Sequence, residues 1–200
     1  MKKIKKILIG THNKGKFKEL SYLLPRKVNK ISPKKLGIKS PKENGKSFLA
    51  NSKIKAKYFY KHSKFESISD DSGLSIDCLK GKPGIYSARW SKKYGGFKNA
   101  MKKIIKMVKD KNKKNKHKNT KAKFVCSLTL CFQKGKSISA EGKIYGNISE
   151  TIKGKNGFGY DPIFIPKNYR ITFGEMSKKK KMLIDHRYIA YKKLKKRINI

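Results

Sequence analysis

The sequence predicts an α/β fold built around a mixed β-sheet, and two observations carry this prediction. Segments with strand character and segments with helical periodicity both occur along the 200 residues, which is typical of a sheet covered by helices. Late in the chain, two alternating segments are separated by a short glycine-containing stretch, which indicates a hairpin. The length suits a single core, so we predict one domain over residues 1–200.

The first elements follow from short apolar patterns. An apolar run predicts a strand over residues 4–9, and a polar turn precedes a predicted helix over 15–24. A second helix is predicted to run from Ser47 to Tyr60, because its apolar residues share one face and serine is a favoured N-cap residue. These segments therefore predict a strand followed by two helices.

The second half of the chain alternates between helix and strand signals. Apolar residues at helical spacing predict a helix over 100–108. The lysine-rich segment 109–121 has no apolar residue, and we predict a mobile loop there. The remaining predicted elements are a half-buried strand over 124–132, a hairpin turn over 133–137, a returning strand over 138–148 and a final helix over 182–194.

The net charge of +42, from 54 basic and 12 acidic residues, is extreme. Such a charge favours contact with nucleic acid, but only five of the basic residues are arginine, the side chain that base-specific readers use most. The lysines are scattered over every segment, which indicates non-specific attraction to polyanions. A basic polyanion- or RNA-binding protein with little or no catalysis is therefore the alternative function.

Cysteine usage and hydropathy indicate a cytoplasmic protein without a membrane segment. Cys78, Cys126 and Cys131 lack the C-x-x-C spacing of zinc and redox sites and are an odd number. Reduced, buried cysteines in the cytoplasm explain them most simply. The apolar run at residues 7–9 is too short for a signal peptide, and no uncharged run approaches the ~20 residues of a membrane span.

The adjacent carboxylates Asp70 and Asp71 are the most informative feature of the chain. We predict that they lie at a strand-to-turn junction, between short strands over 65–70 and 74–79. Two neighbouring carboxylates repel each other and usually share a cation or a proton, and Mg²⁺ is typically held by one or two carboxylates plus substrate phosphates. Asp, Ser and Gly also form ordinary turns, so the motif alone leaves both interpretations open.

Residues 10–16 (GTHNKGK) follow a predicted strand and open a predicted helix. In that context backbone N–H groups and the helix N-terminus bind phosphate. The G-x-x-x-x-G-K spacing is present, but Phe17 stands where a P-loop has Ser or Thr, which disfavours a P-loop NTPase. A metal would then be held elsewhere, with Glu43, Asp70 and Asp71 as candidates. The alternative is an ordinary turn with surface lysines.

Residues 157–162 (GFGYDP) place two aromatic rings and a carboxylate on a constrained loop. Aromatic rings offer stacking surfaces to nucleobases. His186 and Arg187, near the start of the last predicted helix, supply donors for a base carbonyl or a phosphate. The alternatives are aromatic rings that pack in the core and a His-Arg pair on the surface.

Taken in order, these segments resemble the Ham1/inosine triphosphatase family of non-canonical purine nucleoside triphosphate pyrophosphatases. The most specific blocks are DDSGL at 70–74 and GFGYDPIF at 157–164, and matching stretches cover almost the whole chain. The resemblance implies an elongated mixed sheet with flanking helices, two lobes around a central cleft, and a homodimer. It also implies Mg²⁺-dependent hydrolysis of ITP, dITP and XTP to the monophosphate and pyrophosphate, a cytoplasmic activity that cleanses the nucleotide pool.

The resemblance also assigns roles to residues. Asp71 would be the general base and a metal ligand, Glu43 a second ligand, and Asp70 a supporting one. Ser72 would lie near the substrate. The triphosphate would be held by Thr11, His12, Asn13, Lys14, Gly15, Lys16 and Lys55, and the base by Phe158, Gly159, Tyr160, Asp161, Lys181, His186 and Arg187.

Selectivity for keto purines requires a donor at the 6-position of the base. A buried donor there meets an acceptor in hypoxanthine or xanthine but another donor in adenine, a mismatch worth roughly 10⁴-fold or more. Arg187 or Lys181 is the predicted donor. The chain departs from the family pattern at Ala50, where Glu is usual, at Ser52, where Ala is usual, and at Asp185, where Ser is usual.

Overall fold

The computed structural model describes residues 4–113 and 118–198. Within these ranges one six-stranded sheet has the order β2-β1-β3-β4-β5-β6. β1 pairs in parallel with β2 and β3, whereas β5 pairs antiparallel with β6, so the predicted α/β fold with a mixed sheet is confirmed. The strands are β1 (Lys6–Ile9), β2 (Asn29–Ile31), β3 (Ser67–Ile76), β4 (Lys121–Phe132), β5 (Lys136–Ile148) and β6 (Phe164–Pro166).

Three of the helices, α1, α2 and α5, begin after a side chain that accepts one of their first backbone N–H groups. Ser47 caps α2 as predicted, because its hydroxyl accepts the N–H of Ala50 at 3.1 Å. No helix in the described ranges is long and apolar enough to cross a membrane. The α-helices are α1 (Lys14–Leu23), α2 (Phe48–Ser63), α3 (Ser87–Lys93), α4 (Phe97–Lys113), α5 (Lys178–Met182) and α6 (His186–Lys195).

The chain divides into two compact units. Unit 1 comprises Met1–Asp71, Cys126–Gly142 and His186–Ile200, and unit 2 comprises Ser72–Val125 and Lys143–Asp185. Each unit has its own apolar core: the unit 1 cluster is built on β1, α1, α6 and parts of β4, and the unit 2 cluster is built on α4 and the residues around β6. The prediction of one domain over residues 1–200 stays a prediction.

The prediction of two strands flanking an acidic turn is wrong, because residues 67–76 form the continuous strand β3. Gly73 lies inside this strand, where a Cβ atom would collide with the Gly84 carbonyl and the Ser87 hydroxyl. The glycine therefore permits a close backbone approach and does not make a turn. Every residue of β3 except Ser72 is buried, so its polar residues are interior ones.

The polar composition of residues 109–121 was the reason for predicting a mobile loop there, and the structure differs from this prediction. α4 continues to Lys113 and β4 begins at Lys121, while the middle of the segment, 114–117, lies outside the described residues. Lysine has good helix propensity, and Lys113 pairs with Asp110 one turn earlier at 3.6 Å. The prediction of a loop is therefore wrong for residues 109–113, whereas the described residues 118–120 have no regular structure.

Two further predictions need correction, while the hairpin is confirmed. β4 is buried on both faces, so it is not half-buried. The predicted final helix is two helices, α5 and α6, separated by residues 183–185. Lys134 and Gly135 adopt positive φ angles in the turn between β4 and β5, as a tight hairpin requires.

Candidate active site

The loop after β1 leads directly into α1 and supplies its N-cap. The Asn13 side chain accepts the Lys16 N–H at 3.0 Å, and the Thr11 hydroxyl accepts the Asn13 N–H at 3.2 Å. Gly10 precedes this loop, and a Cβ atom there would collide with Ser69 and Phe59. The predicted loop-to-helix context is thus confirmed, and the partial positive charge of a helix N-terminus favours an anion there.

The other residues of this loop lie at or near the surface of unit 1. Lys14 and His12 are exposed, and Gly15 is half-buried. Nδ1 of His12 lies 2.8 Å from the hydroxyl of Ser40. Accessible lysine and histidine side chains at a helix N-terminus suit contact with phosphate oxygens.

Asp70 and Asp71 occupy consecutive positions of β3, so their side chains point to opposite faces of the strand. Both are buried, Asp70 completely and Asp71 to 5% residual exposure. The two carboxylates therefore have different hydrogen-bond and ion-pair partners, although the charges of Lys16 and Lys55 act on both. Their separation is the basis for assigning them different functions.

The Asp70 carboxylate is held between two cations of unit 1. Its Oδ2 lies 3.1 Å from Lys16 Nζ and accepts Arg187 Nε at 3.2 Å. Arg187 also donates from Nη1 to Glu19 at 2.9 Å. Burial works against ionisation, but Lys16 and Arg187 outweigh it and hold the pKa of Asp70 well below its usual range. Asp70 is therefore a permanent carboxylate that fixes Lys16 beside the loop.

The Asp71 carboxylate lies in a second cluster of unit 1, with Asn51, Lys55 and Glu43. Its Oδ2 accepts the Asn51 amide at 3.1 Å, and its Oδ1 lies 3.6 Å from Lys55 Nζ. Lys55 Nζ also lies 2.7 Å from Glu43 Oε1. Burial raises the pKa of Asp71, and Lys55 and Lys16 only partly oppose it. Burial opposes the charge on Lys55, but the carboxylates of Asp71, Asp70 and Glu43 raise its pKa.

Two carboxylates of the predicted metal set converge on one cation position. In the described residues no three His, Cys, Asp or Glu side chains form a metal-ligand group; Glu43 and Asp71 face the same ammonium group, whereas Asp70 points to the other side of β3. Mg²⁺ typically takes one or two carboxylates and completes its shell with water and phosphate oxygens. Glu43 and Asp71 therefore fit a magnesium site, and the observed geometry leaves Asp70 out of that pair.

Three of the residues assigned to base binding, Phe158, Asp161 and Lys181, form a cluster in unit 2, whereas His186 and Arg187 belong to unit 1. Asp161 Oδ2 accepts both Lys181 Nζ at 2.7 Å and the Phe158 N–H at 2.8 Å. Lys181 is buried and lies over the rings of Phe158 and Phe173, at 4.9 and 5.6 Å from their centroids. Gly157 has a positive φ, and a Cβ atom there would collide with the Asp161 carboxylate. The GFGYDP loop is thus built around one buried ion pair.

Four more predicted site residues have clear positions. Tyr160 is a core residue of unit 2: its hydroxyl donates to the Ser87 carbonyl at 2.9 Å, and its ring packs edge-on against Phe97. Gly159, with a positive φ, and Ser72 are half-buried in unit 2. His186 is buried at the start of α6 in unit 1.

Asn51 and Glu19 were not predicted as site residues, although each contacts one that was. Both occupy helix positions that the sequence could have related to the site. Asn51 lies four residues before Lys55 on α2, and Glu19 lies three residues after Lys16 on α1. Side chains at these spacings share a helix face. The sequence signal that could have found Asn51 and Glu19 is therefore their spacing of four and three residues from Lys55 and Lys16, the predicted phosphate ligands on the same helices.

Comparison with known proteins gives one consistent result. The family model described as "Ham1 family" matches residues 7–197. Proteins named dITP/XTP pyrophosphatase from Clostridium perfringens and Zymomonas mobilis are 40% and 36% identical, covering 96% and 94% of this chain and 96% and 90% of those proteins. A solved HAM1 protein from Coxiella burnetii is 28% identical with a TM-score of 0.84, covering 96% of each chain.

Proposed function

Because this chain belongs to the Ham1 family, we propose that it hydrolyses the non-canonical purine nucleoside triphosphates dITP, XTP and ITP to the monophosphate and pyrophosphate, in a Mg²⁺-dependent reaction. The relatives named dITP/XTP pyrophosphatase support the substrate class. The single structural observation that supports the chemistry is the contrast between Asp70, which lies between Lys16 and Arg187, and Asp71, which contacts Asn51 and Lys55. Neighbouring carboxylates with opposite pKa shifts are typical of sites that divide electrostatic and acid-base roles.

Asp71 is the proposed general base. Burial raises its pKa, so this carboxylate accepts a proton more readily than an exposed aspartate. It would take the proton of the water that attacks the phosphate chain. Asn51 holds one of its oxygens and leaves the other facing Lys55.

Glu43 and Asp71 are the proposed magnesium ligands, with Lys55 close to both. When bound, Mg²⁺ would neutralise phosphate charge and polarise the bond to be broken. Lys55 lies between the two carboxylates in the described geometry, and a phosphate oxygen would give its ammonium group a new partner. Lys16, held by Asp70 beside the N-terminus of α1, is the proposed cation for the remaining phosphate charge.

For base selectivity we propose Lys181 as the donor to the 6-keto group, with Arg187 as the second candidate. The Lys181 ammonium lies against the Phe158 ring, so a donor and a stacking surface adjoin each other. Arg187 already donates to Asp70 and Glu19, which favours an electrostatic role for it. Lys181 likewise has a carboxylate partner, Asp161 at 2.7 Å, so the adjoining Phe158 ring is the feature that favours Lys181 of the two.

The test is pyrophosphate release from dITP, XTP, ITP, ATP and GTP, with Mg²⁺ or with EDTA. We expect release from the first three only, with none in EDTA, and loss of the discrimination against ATP in Lys181→Met. A folded wild-type protein with no activity on any of them would overturn the proposal and favour the polyanion-binding alternative. Homodimer formation stays a prediction of the resemblance, which light scattering would test.

A further inference from the structure

Asn51 is a completely buried amide that contacts two different segments of unit 1. Its Nδ2 donates to Asp71 Oδ2 at 3.1 Å, and its Oδ1 accepts the Gly45 N–H at 2.8 Å. A single side chain thus uses its donor on the proposed base and its acceptor on the segment that carries Glu43. An amide is the side chain that supplies a donor and an acceptor side by side.

The segment that carries Glu43 has no regular structure of its own. Residues 38–45 belong to no helix or strand, so contacts outside the segment must fix its position. Gly45 approaches α2 so closely that a Cβ atom would lie 2.6 Å from Asn51 Oδ1 and 2.9 Å from the Asn51 nitrogen. The glycine is therefore required for the Gly45–Asn51 hydrogen bond, which anchors the chain two residues after Glu43.

We propose that Asn51 is a positioning residue that sets Glu43 and Asp71 at the spacing needed to hold a metal ion together. This inference rests on the proposed function. One helix side chain fixes a strand carboxylate directly and a loop carboxylate through its backbone, so the ligand pair is arranged before the ion arrives. Without the amide, the loop would lose conformational freedom upon each binding event, and that loss would weaken binding.

The neighbouring residue Ser52 provides a matched control. It is also completely buried on α2, and its hydroxyl lies 3.1 Å from that of Ser127 and 2.8 Å from that of Thr129. These partners are hydroxyl groups on β4 and none of them is a carboxylate. Replacing Ser52 by alanine therefore removes a comparable buried polar contact without touching Asp71 or the Glu43 loop.

The experiment compares Asn51→Ala and Ser52→Ala with the wild type. The readouts are Mn²⁺ affinity measured by electron paramagnetic resonance without nucleotide, kcat and KM for XTP, and the unfolding midpoint in urea. Residues that orient metal ligands typically change affinity or activity by about 10- to 100-fold. We expect Asn51→Ala to weaken Mn²⁺ binding and to lower kcat by that factor, with KM within about threefold because the proposed phosphate contacts remain. Ser52→Ala should lose only stability.

The outcomes separate this inference from the proposed function. An active wild type with unchanged kcat and Mn²⁺ affinity in Asn51→Ala would overturn the positioning role alone. An inactive wild type whose Mn²⁺ binding still depends on Asn51 would overturn the proposed function and keep the positioning role. Equal losses in Asn51→Ala and Ser52→Ala would indicate a merely structural effect and contradict the inference. If Asn51→Ala does not fold, Asn51→Ser carries the same test, because one short hydroxyl cannot reach both partners.

Discussion

Replacing Asp70 by asparagine should destabilise the metal-free protein, whereas replacing the adjacent Asp71 by asparagine should not. Asp70 is completely buried, and one of its oxygens lies 3.1 Å from Lys16 Nζ and 3.2 Å from Arg187 Nε. Asp71 is held near charges of both signs in a site where burial raises its pKa. Asp70→Asn removes a charge that its partners stabilise, whereas Asp71→Asn removes a charge that burial destabilises.

The expected magnitude for Asp70→Asn follows from its partners. Removing one member of a buried ion pair costs about 3–5 kcal/mol. Arg187 keeps Glu19 at 2.9 Å, and the Lys16 side chain is 16% exposed to water. We therefore expect the lower end, a loss of about 3 kcal/mol in the free energy of unfolding. Asp71→Asn should not lower the free energy of unfolding. Asn51 can still donate to the new amide oxygen, and Lys55 still has its ion pair with Glu43 at 2.7 Å.

The pH dependence has opposite signs at the two positions. The pKa of Asp70 is lower in the folded than in the unfolded state, where it is about 3.9. Its contribution is therefore fully present above that pH range and is lost as the pH falls through the folded pKa. The pKa of Asp71 is raised, so its contribution is lost as the pH rises through its folded pKa. The wild type's advantage over Asp70→Asn should thus shrink below about pH 4.

Urea unfolding followed by circular dichroism in EDTA provides the assay, at neutral pH and at several acidic values. The two variants should differ from each other by about 3 kcal/mol at neutral pH. Equal free energies of unfolding, or a neutral Asp70→Asn with a damaging Asp71→Asn, would refute the assignment of different environments to the two carboxylates.

Three further substitutions test other parts of the site. In EDTA, Lys55→Met should lower the free energy of unfolding by about 2 kcal/mol, less than for a fully buried ion pair because the partner Glu43 is partly exposed. Saturating Mg²⁺ should restore this stability. Lys53 is exposed on the same helix, so Lys53→Met is the control and should leave the urea midpoint unchanged both in EDTA and in Mg²⁺. Equal behaviour of the two variants would contradict the proposal that Mg²⁺ binds where the Lys55 ammonium group lies. Lys181→Met should lower the free energy of unfolding in urea by about 3 kcal/mol, and adding Asp161→Asn should restore part of that stability. A further loss in the double variant would contradict a stabilising Lys181–Asp161 ion pair. Asn13→Ala should cost about 1 kcal/mol as a lost N-cap and raise KM for XTP, and an unchanged KM would remove this loop from phosphate binding.

Local patterns predicted the elements whose signals are local. The Ser47 cap and the apolar face of α2 are set by residues within a few positions of each other, and Phe59 and Ala56 are buried as that face requires. The loop before α1 is similarly local, since Asn13 caps the helix that it precedes. In these segments neighbouring residues alone satisfy the backbone groups, so the sequence is sufficient.

The strand β3 could not be predicted because its polar residues depend on distant partners. Asp70 is compatible with a buried strand only because Lys16 and Arg187 reach it from α1 and α6. Gly73 reads as a turn residue, but it is required by the backbone at Gly84. Alternation along a strand then separates two carboxylates that sequence adjacency had suggested would share one ion. The motif drew attention to both carboxylates, and only the fold distinguishes their surroundings.

Asp71 is the proposed general base of a nucleoside triphosphate pyrophosphatase. The most direct test is kcat for XTP with Mg²⁺ in Asp71→Asn and in the wild type, with folding of the variant verified by circular dichroism. A general base contributes typically about 10²- to 10⁴-fold, so we predict a loss in that range together with undiminished stability in EDTA. A folded Asp71→Asn protein that keeps kcat within about threefold of the wild type would contradict the claim, because an amide cannot accept the proton.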